Sequence, residues 1–134
     1  ANHPMDGFST YPFAIFDPPR FATYRSSLPA GNDTLVGNDC WIGREATILP
    51  GATIGNGVII GAKAVVAGNV PDYAVVVGNP GRVARMRFSD NEVAKLLELE
   101  WWDWEAVDIS ASLTAIENAD IDALQQADAL RKKR

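Results

Sequence analysis

The chain has 134 residues, 47% of them hydrophobic and 22% charged, with a formal net charge of −5. That balance belongs to a folded chain of ordinary domain size rather than a disordered one. The negative charge argues against non-specific nucleic-acid binding, no apolar run approaches the ~20 residues of a membrane helix, and the single cysteine, Cys40, excludes an intramolecular disulfide.

Charge is unevenly spread. Residues 1–87 carry seven basic and six acidic groups, residues 88–130 carry one basic and eleven acidic, and Arg131 to Arg134 are all basic. An anionic ligand would find its cations in the first part. The lone cysteine fits a reducing cytoplasm. The first seven residues, Ala1 to Gly7, have neither the basic nor the apolar segment of a secretory signal, and no initiator methionine.

Residues 8–33 combine Pro12, Pro18, Pro19 and Pro29 with Phe8, Tyr11, Phe13, Phe16, Phe21 and Tyr24. The prolines are expected to break any regular element. The aromatics are too many for a solvated linker. The segment reads as a long excursion loop whose rings pack on something, a kind of loop that often carries function.

From residue 34 the sequence repeats every six positions. Val36, Ile42, Ile48, Ile54, Ile60 and Val66 are all β-branched, and the residues after them are Gly37, Gly43, Leu49, Gly55, Gly61 and Ala67. Two positions before each stand Thr34, Cys40, Ala46, Ala52, Val58 and Ala64. A helix does not explain a period of six, and the glycines at 43, 51, 55, 57 and 61 would each cost about 1 kcal/mol in one. A triangular parallel β-solenoid does. Each hexapeptide gives one short strand and one corner, the β-branched residue stacks inward, and three hexapeptides close a coil of about 18 residues. The repeat therefore builds about two coils over 34–69. Cys40 falls on the small-residue position and reads as structural. Trp41, just before an inward Ile, points outward.

Val70 to Tyr73 interrupt the period, Ala74 to Val77 read as a final strand, and Gly78-Asn79-Pro80-Gly81 is a turn. Ser89 and Glu92 form a capping box for a helix striped by Val93, Leu96 and Leu97. Further helices are expected near 105–117 and 120–131. Trp101, Trp102 and Trp104 read as packing residues. These helices would cover an open end of the solenoid, whose exposed strand edges invite aggregation.

Several of these segments together resemble one family. Hexapeptide-repeat acyltransferases carry repeats like Ile42-Gly43 to Ile60-Gly61, with a Trp-Ile-Gly as at Trp41 to Gly43. They also carry a Gly-Asn-Pro-Ala-like turn as at Gly78 to Gly81, where Gly81 replaces the usual Ala, a change expected to be tolerated. Two flanking motifs point to the xenobiotic acetyltransferase branch, of the type B chloramphenicol and streptogramin A kind. These are Asn2 to Gly7 with Tyr11-Pro12-Phe13, and Trp101 to Trp104. The resemblance spans about residues 1–125. Because such proteins carry earlier coils, the chain looks like the C-terminal part of one.

The resemblance implies a mainly β fold, a left-handed parallel β-helix with an excursion loop and a C-terminal α-helical cap. Residues 1–87 would be the coils, with the loop at about 8–33, and 88–134 the helical cap and basic tail. It implies a homotrimer in the cytoplasm, acting on a small-molecule acceptor, with no nucleic acid or membrane as partner. The implied reaction is acetyl-CoA-dependent O-acetylation of an antibiotic-like or other xenobiotic hydroxyl, by direct transfer in a ternary complex. His3, the only histidine, takes the place of the general base, a role suited to an imidazole of pKa near 6.5. Asn2, Asp6 and Tyr11 would contact the acceptor. Gly61, Ala62, Lys63, Gly78, Asn79 and Arg82 would bind the coenzyme, with Arg85 and Arg87 as further nearby cations for its phosphates. No metal is expected. A sugar or amino-acid hydroxyl is an alternative acceptor class, and a catalytically inactive β-helix fragment or structural trimer module an alternative of a different kind.

Overall fold

The computed structural model describes residues 7–11, 13, 20 and 31–133. Its first half is a parallel β-helix. Two-residue strands β1 (Leu35–Val36), β2 (Trp41–Ile42), β3 (Thr47–Ile48), β4 (Thr53–Ile54), β5 (Ile59–Ile60), β6 (Val65–Val66) and β7 (Asn69–Val70) are followed by β8 (Ala74–Val77). They form three faces, β1-β4-β7, β2-β5-β8 and β3-β6, with every pair parallel. The six-residue period is the reason: it returns a β-branched side chain to the interior at each strand. Ile54, Val58, Ile60, Val66, Val70 and Val76, with Ala52, Ala64 and Ala74, make one buried core.

The period breaks one step earlier than the sequence suggests. Val36 pairs with Ile54, but Ile54 pairs with Val70, and Ile60 with Val76. Two residues are missing between Val66 and Val70, after which Val70 and Val76 resume the six-residue step. Residues 70–73 thus continue the coil, and Val70 is a core residue. Val36 and Ile42 sit at the inward register yet are 47% and 44% exposed. Among the described residues β1 and β2 have a neighbour on one side only, so nothing stacks on them.

One corner is tied by a polar ladder. Asn38 donates from its main-chain N and Nδ2 to Asn56 Oδ1 at 2.8 and 3.2 Å, and Asn56 donates likewise to Asp72 Oδ1 at 2.6 and 3.1 Å. At the next position Asp39, Gly57 and Tyr73 stack in the left-handed conformation. A Cβ on Gly57 would enter the Tyr73 ring, so only glycine fits there. Arg87 lies over Tyr73 and Phe88, with its guanidinium carbon 5.5 and 5.2 Å from the ring centres. Burial pushes the Asp39 carboxyl above its ordinary range, and the Arg87 guanidinium at 3.9 Å partly offsets this.

A strand not evident in the sequence follows the turn. β9 (Arg82–Met86) folds back antiparallel on β8, with a bulge between Val75 and Val76. Then come α1 (Asp90–Leu99), a 3-10 turn (Trp101–Asp103), α2 (Ala106–Glu117) and α3 (Ile121–Arg131). The α1 capping box is present, with Ser89 N–H on Glu92 Oε2 at 2.9 Å and Glu92 N–H on Ser89 Oγ at 3.4 Å. Leu99, Trp104 and Leu124 centre a second core, separate from that of the coils. Trp104 donates its indole N–H to the Leu99 carbonyl at 2.9 Å.

Of the expected excursion, only residues 8–11, 13, 20 and 31–33 are described. Phe13 and Arg20 have helical backbone, where the prolines were expected to leave no regular element. Phe16, Phe21, Tyr24 and the four prolines lie outside the described residues. So do Asn2, His3 and Asp6.

Candidate functional site

The six residues expected to hold a coenzyme come together at one corner of the prism. Gly61, Ala62 and Lys63 leave β5, and Lys63 takes the left-handed conformation that turns the chain into β6. Ala64 N–H closes this corner on the Gly61 carbonyl at 3.2 Å. The equivalent corner of the neighbouring coil, Gly43 to Ala46, lies alongside, with Lys63 N–H on the Arg44 carbonyl at 2.9 Å. On the other side lies the turn at 78–81. Val65 N–H donates to the Gly78 carbonyl at 3.0 Å, and Gly81 N–H to the Val65 carbonyl at 2.7 Å. A Cβ on Gly81 would stand 2.8 Å from that carbonyl oxygen. Glycine therefore permits this close return. The Asn79–Pro80 peptide is cis.

Ala62, Lys63, Gly78, Asn79 and Arg82 are exposed. Arg82 donates from Nη1 to the Gly81 carbonyl at 3.1 Å, which keeps its guanidinium close to the turn. The corner thus combines exposed main chain with two cations, a combination that suits a phosphorylated ligand with an amide-containing arm.

The structure separates the other expected cations. Arg85 is on β9, exposed, with Nη1 on the Met86 carbonyl at 3.2 Å. Arg87 belongs to a different corner, where Nη1 donates to the Gly57 carbonyl at 2.6 Å. It is taken up by the protein itself and does not join the set. Two residues missed in the sequence are present instead. Arg44 and Glu45 occupy the same coil position as Ala62 and Lys63. Arg44 Nε lies 3.3 Å from Glu45 Oε1, and Lys63 Nζ lies 3.5 Å from Glu45 Oε2. The repeat contained the signal, since each residue stands one coil before its partner.

Tyr11 is about half exposed and stacks edge-on with Phe13 at 4.8 Å between ring centres. Its proposed companions Asn2, His3 and Asp6 lie outside the described residues. Cys40 faces its own corner, with Sγ donating to the Gly55 carbonyl at 3.0 Å, and burial pushes its thiol pKa upward. Both features disfavour a thiolate nucleophile. Trp41 is 67% exposed and faces outward as expected. Among the described residues no three His, Cys, Asp or Glu side chains are grouped to hold a metal, and no helix is long and apolar enough to cross a membrane. A cavity of about 70 Å³ lies elsewhere, between Tyr73, Arg87 and Phe88 on the coil side and Leu96, Trp101 and Leu124 on the helices. It has room for a few waters and not for a nucleotide.

Residues 33–68 match the family described as bacterial transferase hexapeptide (six repeats). The chain is 49% identical over 128 residues to virginiamycin A acetyltransferase of Staphylococcus aureus, covering 94% of this chain and 58% of that protein. It is 43% identical over 124 residues to a chloramphenicol acetyltransferase of Agrobacterium fabrum, covering 91% and 59%. It is 44% identical over 115 residues to a protein of Lysinibacillus sphaericus described as "Probable macrolide acetyltransferase", covering 84% and 64%. The chain thus spans 58–64% of the length of these relatives. A solved structure of galactoside acetyltransferase in complex with coenzyme A overlaps 42% of this chain and 32% of that one, with 37% identity and a TM-score of 0.39. The hexapeptide repeat and the extended identity to these relatives lead to one conclusion: residues 33–68 carry the bacterial transferase hexapeptide repeat, and most of the chain is similar to part of the virginiamycin A and chloramphenicol acetyltransferases.

Proposed function

We propose that the protein is an acetyl-CoA-dependent O-acetyltransferase that acts on a hydroxyl of an antibiotic-like or other xenobiotic acceptor. The observation that carries this reading is the 49% identity with virginiamycin A acetyltransferase across nearly the whole chain. The exposed corner of Gly61, Ala62, Lys63, Gly78, Asn79 and Arg82 supports it, because one continuous surface offers main chain for a pantetheine arm and cations for phosphates.

In this reading the thioester supplies the activated acetyl group. The acceptor hydroxyl oxygen forms a bond to the acetyl carbon and the carbon–sulfur bond breaks. His3 takes the hydroxyl proton as the oxygen attacks, and a proton is returned to the departing thiolate. The neutral imidazole accepts the first proton, and the imidazolium so formed returns one to the thiolate. Asn2, Asp6 and Tyr11 orient the acceptor. The coils wind left-handed, the three C-terminal helices cap the solenoid, and residues 1–87 and 88–134 act as its two parts. The working form is a cytoplasmic homotrimer.

Incubating the protein with acetyl-CoA and a streptogramin A, followed by mass spectrometry of the antibiotic, tests the reading. The expected product carries one added acetyl group. An unmodified antibiotic, together with unmodified chloramphenicol in a parallel reaction, would contradict the proposed acceptor class.

A further inference from the structure

The left-handed backbone positions of the coils are filled in two ways. At one corner they are Gly51 and Gly68, where the conformation costs nothing. At a second they are Asp39, Gly57 and Tyr73. There Tyr73 is buried in the fold, and Asp39 faces Arg87 at 3.9 Å. At the third, the candidate coenzyme corner, they are Glu45 and Lys63, with φ of 59° and 60°. Each long side chain in this conformation strains the backbone. Packing does not offset that cost, since the two side chains are 54% and 77% exposed. Exposed ion pairs add little stability, so the two that Glu45 makes are a poor return for two strained positions. Their charges therefore point to something other than stability, and strain of this kind is often retained at functional sites.

The geometry of the trio indicates what that is. Glu45 uses both carboxylate oxygens, Oε1 toward Arg44 Nε at 3.3 Å and Oε2 toward Lys63 Nζ at 3.5 Å. One anion bridging two cations through two oxygens is the arrangement a phosphate monoester would adopt between them. We infer that Glu45 is an internal substitute for a phosphate of coenzyme A, holding Arg44 and Lys63 in position and setting how tightly the coenzyme binds. The inference rests on the proposed coenzyme corner and adds Arg44 and Glu45 to it. Binding of the phosphate must break both ion pairs and leaves a carboxylate beside the new anion. Glu45 thus weakens the complex and favours release of the product coenzyme, and it is an affinity-setting residue rather than a catalytic one.

Calorimetric titration of the full chain with coenzyme A tests this. Glu45→Gln is expected to tighten binding by about threefold to tenfold. Glu117→Gln, an exposed acid on α2, makes the same change in net charge and is expected to leave affinity unaltered. The double variant Glu45→Gln/Lys63→Met is expected to lose the gain, because the freed cation is then absent. Wild-type binding with unchanged or weaker binding by Glu45→Gln would overturn the inference and leave the coenzyme corner standing. A shift in melting temperature without a shift in affinity would likewise reduce the trio to a structural pair. Binding by neither protein would overturn the coenzyme reading and the inference together.

Discussion

Arg87 donates from Nη1 to the main-chain carbonyl of Gly57 at 2.6 Å, thirty residues earlier in the chain. The bond joins the segment leading into the helices to the middle coil. Tyr73 lies against Gly57 at the same corner. Gly57→Ala is expected to destabilise the fold by more than about 2 kcal/mol, because it combines left-handed strain with a clash against that ring. Arg87→Met keeps the stem but leaves the carbonyl without its donor, at a cost of about 1–3 kcal/mol. Urea unfolding measures both, and wild-type midpoints would show that this corner does not hold the structure.

Tyr73 gives a pH signature. Burial pushes its phenol up to about 12, with the Asp39 carboxylate adding to the shift and Arg87 partly offsetting it. A phenol harder to ionise in the folded state than in the unfolded one keeps its full stabilising effect below about pH 10. That effect is lost as pH rises from there toward 12. Stability is expected to fall by about 2–3 kcal/mol over this window, at about 1.4 kcal/mol per unit. Tyr73→Phe should remove most of the slope. An equal slope in both proteins would disprove the assignment.

The stacked interior offers a severe test of the coil register. Ile54 is 2% exposed between β1 and β7. Ile54→Asp places a charge there with no cation to meet it, and the chain is expected not to fold. Ile60→Ala, a milder change, should cost about 2–5 kcal/mol through lost burial and a residual cavity. Circular dichroism and melting read both. A well-folded Ile54→Asp protein would show the register to be wrong.

Much of this architecture was legible because the coil imposes one rule on the sequence. Six β-branched residues at a spacing of six announce three-sided stacking, and Ser89 with Glu92 announces a helix start. What stayed hidden has physical reasons too. The coil shortens between Val66 and Val70, so a fixed step loses the last core positions. The left-handed corners at Asp39, Glu45, Lys63 and Tyr73 carry no glycine to mark them. The return strand β9, from Arg82 to Met86, has no alternation strong enough to identify it, since all five residues are exposed. The proposed coenzyme corner was legible only in part. Gly61, Ala62, Gly78 and Asn79 come from the resemblance and Lys63 and Arg82 from their nearness in sequence, whereas Arg44 and Glu45 join them through the stacking of successive coils. Arg87, close to Arg82 in sequence, is drawn to another corner by Tyr73 and Gly57.

His3→Ala tests the proposed base. Turnover is expected to fall by roughly a hundredfold or more with coenzyme affinity little changed, because the imidazole acts on the acceptor proton rather than on the coenzyme. Unchanged turnover in the variant would remove His3 from the mechanism.

The most direct test of the account is thiol release from acetyl-CoA, followed with a streptogramin A or chloramphenicol and compared with a reaction lacking acceptor. The account predicts release that depends on the acceptor and saturates with it. A protein that binds acetyl-CoA yet releases thiol at the same background rate with and without these acceptors would contradict it.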